Sequence, residues 1–339
     1  MNSAAKHWRI YLLGILVSAA AIFFVVRQID INELVRALGQ ANYLYLIPAS
    51  GLIVIGLFVR ALRWRSLLGG AIKPLPAFSI INITYLVNGL LPFRLGELAR
   101  AFLANRGGQT VPVFTSLSSI VIERLLDMLA VLVILGISIG AAPLPAELRG
   151  AAIAFTPLLI IGFGVLIVLA ANPDRAVRLM QRIVRPKLDQ RFGLSNLFRH
   201  FLDGLKPLVN PRSAAQVLGW TALSWGFSLA SGYVLMIAFF GEGNLAATCL
   251  FTAAASFAVA VPAVPGSVGP YEASIVLSLQ AMGYTASPET AVAFALVVHG
   301  LNLAVVAVLG AFGFIQQGIS LGQLSQGVRG LRQLDQPAG

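Results

Sequence analysis

Apolar residues in this chain run in long blocks instead of alternating with polar ones. A helix needs about 20 apolar residues to cross a hydrocarbon core about 30 Å thick. Blocks at 10–26, 45–62, 113–141, 150–171, 214–240 and 290–316 therefore predict six spanning helices. Two further blocks, 75–104 and 246–282, are broken at matching places by proline, glycine and charge. The first contains NGLLPFRLGELAR, Asn88 to Arg100; the second contains VPAVPGSVGPYEAS, Val261 to Ser274. Each reads as two short helices meeting at a turn, 75–90 with 95–104 and 246–261 with 268–282. Broken apolar segments in corresponding positions of two halves point to a transport site between inverted repeats.

Composition agrees with this class. Of 339 residues, 58% are hydrophobic and 11% charged, against about 25% charged in a soluble domain. Cys249 is the only cysteine, so no disulfide framework exists. Lys6 and Arg9 precede the first apolar block in the manner of a signal peptide. Ile22 to Val26 stay apolar past Ala19-Ala20-Ala21, where a signal peptide turns polar, so this block reads as an uncleaved span.

Charge sets the orientation. With a cytoplasmic N-terminus and both broken blocks re-entrant, 20 of the 24 basic residues fall in cytoplasmic segments. They include Arg60, Arg63, Arg65, Lys73, Arg94, Arg100 and Arg106, and nine within 172–213. Arg27, Arg36 and Arg149 lie outside, and Arg124 lies within a span. This asymmetry is what the positive-inside rule demands. If both broken blocks spanned fully, the nine-residue basic segment would lie outside. The net charge of +11 thus belongs to one membrane face and implies no nucleic-acid partner.

The expected fold is an all-α polytopic membrane protein, an inverted repeat of two halves. Each half has three spanning helices and one re-entrant hairpin. Residues 1–141 form the first repeat, with a cytoplasm-facing hairpin. Residues 142–316 form the second, with a basic cytoplasmic segment at 172–213 and an outward-facing hairpin. Residues 317–339 form a tail, and both termini are cytoplasmic. In 172–213, Val177, Met180, Ile183 and Val184 set against Arg175, Arg178, Arg182 and Arg185 suggest an amphipathic helix on an anionic surface; a solvated connector is the other reading.

Glu123, Arg124 and Asp127 interrupt an otherwise apolar span, IVIERLLDMLAVLVIL. At about 1.5 Å per residue from Val113, Glu123 lies roughly 15 Å along it, near the midplane. A charge there costs at least ~2.5–3.5 kcal/mol and faces the protein interior or water. Glu123 and Asp127 share a helix face, and Arg124 can pair with Asp127. Two readings stand: an internal salt bridge locking this helix to Arg94, Glu97 and Arg100, or the lining of a polar groove. A common site would use Arg94, Arg100 and Arg124 as cations for a phosphate, with Glu97, Glu123 and Asp127 orienting them. Arginine suits this because its planar fork matches phosphate bidentately and stays charged when buried.

The second break has different chemistry. Gly266 and Gly269 admit unusual backbone, and Pro262, Pro265 and Pro270 remove helical hydrogen bonds. Exposed backbone at membrane depth is tolerated where it lines a cavity. Ser267, Tyr271 and Glu272 then begin the second short helix, whose dipole favours an anion; Glu272 alternatively caps that helix. His299 and Asn302 lie one turn apart in the last span; His299 reads as a buried, hydrogen-bonded histidine or as a proton relay or ligand. Asn82, Thr84 and Asn88 read as packing polar groups, with Asn88 and Pro92 also counted in the candidate site. Trp8, Trp64 and Trp220 read as interfacial anchors.

No Walker-type loop, GxSxG, HExxH or spaced Cys/His set occurs, so no cofactor or metal is implied. The acidic residues form no DxD-like cluster.

The runs NGLLPFRLGELARAFL, SLSSIVIERLLDMLAVL and VPAVPGSVGPYEASIVLSLQAMG resemble the signature segments of the lysylphosphatidylglycerol synthase transmembrane-region family. The resemblance covers nearly the whole chain. In relatives that also carry a soluble aminoacyl-transferase domain, this membrane part is regarded as the lipid flippase. The sequence ends at Gly339 without such a domain, so the resemblance implies binding or moving a lipid, not synthesising one. On the matched positions it implies a functional set of Arg94, Gly96, Glu97, Arg100, Glu123, Arg124, Asp127, Pro265, Gly266, Gly269 and Glu272. Family branches are associated with phospholipids, hopanoids and polyprenyl-linked sugars, so the partner class is a membrane lipid of one of these kinds in the cell inner membrane. A homodimer stays open. The leading expectation is a transbilayer lipid carrier. Its alternatives are a transferase on a lipid-linked substrate, with Glu97 or Asp127 as base, and a non-transporting scaffold of an envelope-lipid pathway.

Overall fold

A computed structural model describes residues 23, 29–91, 94–106, 111–141, 157, 161–162, 164–165, 167–183, 193–260, 265–284, 288–324 and 326–327. These residues are helical with short connections, and no strand occurs among them. All of the expected span 10–26 but residue 23, most of 150–171, Pro92, Pro262 and most of the tail lie outside them.

The first described helix, α1 (Ile31–Gln40), is too short to span. Ile31, Leu34, Val35 and Leu38 follow helical spacing, and the Asp30 side chain accepts from the backbone N–H of Asn32 and Glu33, which caps the first turn. The reading by block length passed over this helix. A short 3-10 turn leads into α2 (Leu46–Leu67). The first broken block is α3 (Pro74–Leu90) and α4 (Leu95–Ala104), followed by the long α5 (Val113–Ala141). The basic segment holds α6 (Pro173–Ile183) and α7 (Leu194–Val209). On α6, Ala176 is buried while Arg175, Arg178 and Arg182 are exposed, as an amphipathic helix requires. Then come α8 (Pro211–Phe240), the second broken block as α9 (Leu245–Ala260) and α10 (Pro270–Ala281), and α11 (Pro288–Gln317).

Among the described residues, three helices are long and apolar enough to cross a membrane: α2 with its leading turn, α8 and α11. The 29 residues of α5 have comparable length but carry Glu123, Arg124 and Asp127.

Both breaks have local causes. Leu91 is extended (φ −116°, ψ 142°), the conformation forced on a residue that precedes proline. Arg94 then takes a left-handed conformation (φ 50°) and starts α4. In the second break, Gly266 and Ser267 have φ of 61° and 57°, and Gly269 sits at φ 97°, ψ −70°, a region that a side chain closes. Arg94 and Ser267 are the non-glycine residues with positive φ among the described residues, one in each break.

The core is built from antiparallel pairs. In α2 and α8, Asn42 just before α2 donates to the Ala238 carbonyl, Ser231 Oγ to the Ala49 carbonyl, and Gly56 meets Ser224 and Phe227. The paired numbers run in opposite senses. The same holds for α3 and α11, where Ser79 bonds Gln316, Asn82 meets Gly310 and Gly89 meets Leu303. On the other side α5 lies along α9, with Ser138 Oγ donating to the Ala246 carbonyl at 3.0 Å. Val131, Ile134 and Leu135 there share a core with Cys249, Leu250 and Ala253.

The two breaks meet. Arg94 Nη2 donates to the Val259 carbonyl at 2.8 Å, and a Cβ on Gly266 would lie 3.4 Å from the Gly89 carbonyl.

Candidate functional site

Five arginines and three carboxylates gather where α2, α4 and α5 converge. Arg63 on α2 is 1% exposed. It grips Asp127 through Nη1–Oδ1 at 2.7 Å and Nη2–Oδ2 at 3.3 Å, and its Nε lies 3.7 Å from Glu123 Oε1. Glu123 also binds Arg100 at 2.5 Å, a pair almost fully buried. The Arg100 guanidinium lies over the Trp64 ring at 4.1 Å, and the Trp64 indole donates to Ser119 Oγ at 3.0 Å. Glu97 lies 3.3 Å from Arg124 and 3.6 Å from Arg94. Asp127 completes the cluster with Arg124 at 3.7 Å and with the Trp225 indole N–H at 3.2 Å. Buried charges persist only when paired and hydrogen-bonded, and most of these are.

Arg60 differs. It sits one turn before Arg63 on α2, and no carboxylate among the described residues pairs with it. Its Nη groups reach Tyr85 Oη at 3.4 Å and Ser228 Oγ at 3.3 Å, and its guanidinium lies 5.6 Å from the Trp225 ring. With five arginines against three carboxylates, the cluster keeps two positive charges unmatched.

A cavity of about 530 Å³ opens beside this cluster. That size suits a ligand-binding pocket. Arg60, Arg94, Arg124, Asp127, Tyr85 and Asn88 line one part. Gly266, Ser267, Tyr271, His299 and Asn302 line another. Its rim carries Leu91, Met128, Phe257, Val259 and Leu303, all exposed apolar side chains. The two breaks thus contribute to one cavity.

The expected residues take different places. Asn88, Arg94, Arg124, Asp127, Gly266 and Tyr271 face the cavity. Glu97 stands behind Arg94 and Arg124 as their counter-charge. Arg100 and Glu123 do not face it: they form a buried pair that ties α4 to α5. Of the cations expected for a phosphate, Arg94 and Arg124 line the cavity, Arg100 does not, and Arg60 lines it beside them. Gly96 and Gly269 serve the backbone. Gly96 N–H donates to Asn88 Oδ1 at 2.8 Å, and a Cβ there would overlap the Thr84 carbonyl and Asn88. Glu272 caps α10, one of its two expected roles, accepting the Gly269 N–H at 2.7 Å, and its other oxygen lies 2.5 Å from His299 Nδ1. Pro265 opens the 3-10 turn of the second break, and Pro92 lies outside the described residues.

Three expectations change. Arg60 and Arg63 are helical residues facing inward, not loop cations, and Arg94 and Arg100 join the same cluster. Without these four, sixteen basic residues remain on the predicted cytoplasmic side against three outside, so the asymmetry survives. Trp64, expected as an anchor, is fully buried. The missed residues are Arg60, Arg63, Tyr85 and Trp225. A signal existed: ending α2 at residue 62 leaves it short of the about 20 residues a span needs, and one more turn brings Arg63 and Trp64 inside.

Among known sequences, the profile of the lysylphosphatidylglycerol synthase TM region matches residues 11–310. The glycosyltransferase AglD of Haloferax volcanii is 25% identical over 345 aligned residues, covering 91% of this chain and 54% of that protein. The chain thus spans about half the length of this curated relative.

Proposed function

The chain belongs to the lysylphosphatidylglycerol synthase transmembrane-region family, and from that premise we propose that it binds an anionic lipid and carries it across the bilayer. One observation carries this reading: a single cavity joins Arg60, Arg94 and Arg124 to an exposed apolar rim of Leu91, Met128, Phe257, Val259 and Leu303. A phosphate-bearing headgroup seats at the arginines, where forked donors match its oxygens. The acyl chains leave across the rim into the membrane.

In this reading the two breaks are tips of re-entrant hairpins that enter from opposite faces, α3–α4 from the cytoplasm and α9–α10 from outside. The helix pairing supports it. Exchanging the halves maps α2 onto α8, and these two pack antiparallel on each other. The same exchange turns the α3–α11 pair into α9–α5, and both pairs occur. Two equivalent helices packed antiparallel imply a two-fold axis across them, the symmetry of an inverted repeat. Residues 1–141 and 142–316 are then the repeats, in the cell inner membrane, with both termini cytoplasmic. Arg94, bonded to Val259 across the two tips, closes one against the other.

The relative named a glycosyltransferase favours a second reading, a transferase on a lipid-linked substrate. The geometry supports it less. Of the two carboxylates read as a base, Glu97 does not line the cavity, and Asp127, which does, is held by Arg63 and Arg124, whereas a general base must reach the proton it abstracts.

The test is reconstitution into phosphatidylcholine vesicles carrying fluorescent phosphatidylglycerol, with dithionite quenching of the outer leaflet. Wild type is expected to expose inner-leaflet label faster than empty vesicles, and Arg60→Gln and Arg94→Ala are expected to slow it. Wild type indistinguishable from empty vesicles overturns the carrier reading.

A further inference from the structure

His299 is a buried group that the arginine site does not use, and its surroundings leave one ring nitrogen free. Glu272 is engaged as an acceptor on both oxygens, Oε2 by the Gly269 N–H at 2.7 Å and Oε1 by His299 Nδ1 at 2.5 Å. An ionised carboxylate only accepts, so Nδ1 carries the hydrogen and Nε2 is the nitrogen that gains or loses a proton. The Tyr271 ring stacks on the imidazole at 4.3 Å between centroids and 29° between planes, which fixes its orientation. His299 lines the cavity, and Nε2 has no protein hydrogen-bond partner among the described residues.

We infer that His299 is a proton-linked ligand of the cavity: Nε2 takes up one proton when the anionic headgroup enters and donates it in a hydrogen bond to that headgroup. The inference rests on the reading of this cavity as an anionic-lipid site. The charges around it supply the reason. From α10, Glu272 brings a negative charge and Tyr271 a phenol; from α3 comes Tyr85, and from α2 Arg60. Across the cavity stand Arg94, Arg124 and Asp127. Helices α1 and α8, also packed on α11, contribute no titratable side chain to the cavity wall. An anion spanning the cavity from the arginines meets Glu272 behind the imidazole. A proton on Nε2 cancels that charge and turns the nitrogen from an acceptor, which repels phosphate oxygen, into a charged donor. The balance is simple: a hydronium ion of the aqueous phase gives up the proton, its O–H bond breaks as the N–H bond forms, and water is left. Substrate entry and protonation at the second hairpin then become one event, because Glu272 is also the cap that holds the start of α10.

The full chain in phosphatidylcholine nanodiscs, labelled with 15N-histidine, tests this with dihexanoylphosphatidylglycerol as probe. The His299 signals are identified by their loss in His299→Gln. The expected result is a move of the His299 Nε2 resonance from the neutral to the imidazolium position on adding probe, with affinity that falls as pH rises. In His299→Gln, binding is expected to be about tenfold weaker, the worth of a charge-assisted hydrogen bond, and flat with pH. A probe that binds in an Arg60-dependent way while the His299 resonance stays put overturns the inference and leaves the carrier reading standing. No binding to wild type, or binding unaltered by Arg60→Gln and Arg124→Gln, overturns both.

Discussion

Arg60, Arg63 and Arg100 carry the same charge within one cluster, and their partners separate their roles. Arg63 and Arg100 are buried against Asp127 and Glu123, so their first effect is on the folded state. Removing one partner of a buried pair costs about 3–5 kcal/mol, because the other charge stays behind unpaired. Arg63→Met is therefore expected to lower thermal stability in detergent by that amount, and adding Asp127→Asn to recover part of it. Arg60, held by two hydroxyls and an indole face, leaves no buried carboxylate behind. Arg60→Gln is expected to melt close to wild type while losing lipid affinity. Equal melting of wild type and Arg63→Met would remove the structural role given to Arg63. Glu123, Arg124 and Asp127 were legible from sequence because charge inside an apolar span is costly and conspicuous. Arg63 was less so, because at the end of an apolar block only the length of the block separates a buried arginine from a loop arginine.

At the scale of elements, each hairpin is tied to the helix that follows it by a pair of one basic and one acidic side chain. Arg100 on α4 meets Glu123 on α5; Glu272 on α10 meets His299 on α11. The polarity is reversed, with the cation on the first hairpin and the carboxylate on the second. The first tie depends on how closely α4 folds back on α3, and Gly96 sets that distance. A Cβ there would lie 2.7 Å from Asn88 Oδ1 and closer still to the Thr84 carbonyl, and a backbone carbonyl inside a helix cannot step aside. Gly96→Ala is expected to destabilise the protein by about 1–3 kcal/mol, the usual range for overpacking, read as a lower melting temperature in detergent. A melting temperature equal to wild type would mean that the arms of the hairpin are not in tight contact. Proline and glycine marked both breaks in the sequence, but the contact between the breaks had no sequence signal, since Arg94 reaches a backbone carbonyl and any residue supplies one.

At the scale of the molecule, the proposed topology makes a claim about sides. In a Cys249→Ser background, cysteines at Gln40 and Glu242 are expected to react with membrane-impermeant maleimide added from outside. Cysteines at Lys73 and Asn196 are expected to react only after the membrane is opened. The hydrogen bond from Asn42 N–H to the Ala238 carbonyl at 2.9 Å already brings the Gln40 and Glu242 ends together. Labelling of Lys73 and Glu242 from the same side would break the inverted arrangement of the hairpins.

The sequence by itself determined the class of molecule, the long apolar helices among the described residues and the breaks between them. Those properties follow from local chemistry: block length against bilayer thickness, proline and glycine against the helix, and the cost of charge in hydrocarbon. It also determined which side chains are too polar to face lipid. Only the tertiary structure decided which of them pair with each other and which face the cavity. Arg60 lines the cavity and Arg100 does not, because α4 buries Arg100 against Trp64 and Glu123 while α2 presents Arg60 to open space. The two broken segments, about 170 residues apart in the chain, became neighbours through helix packing, and no periodicity in the sequence encodes that distance.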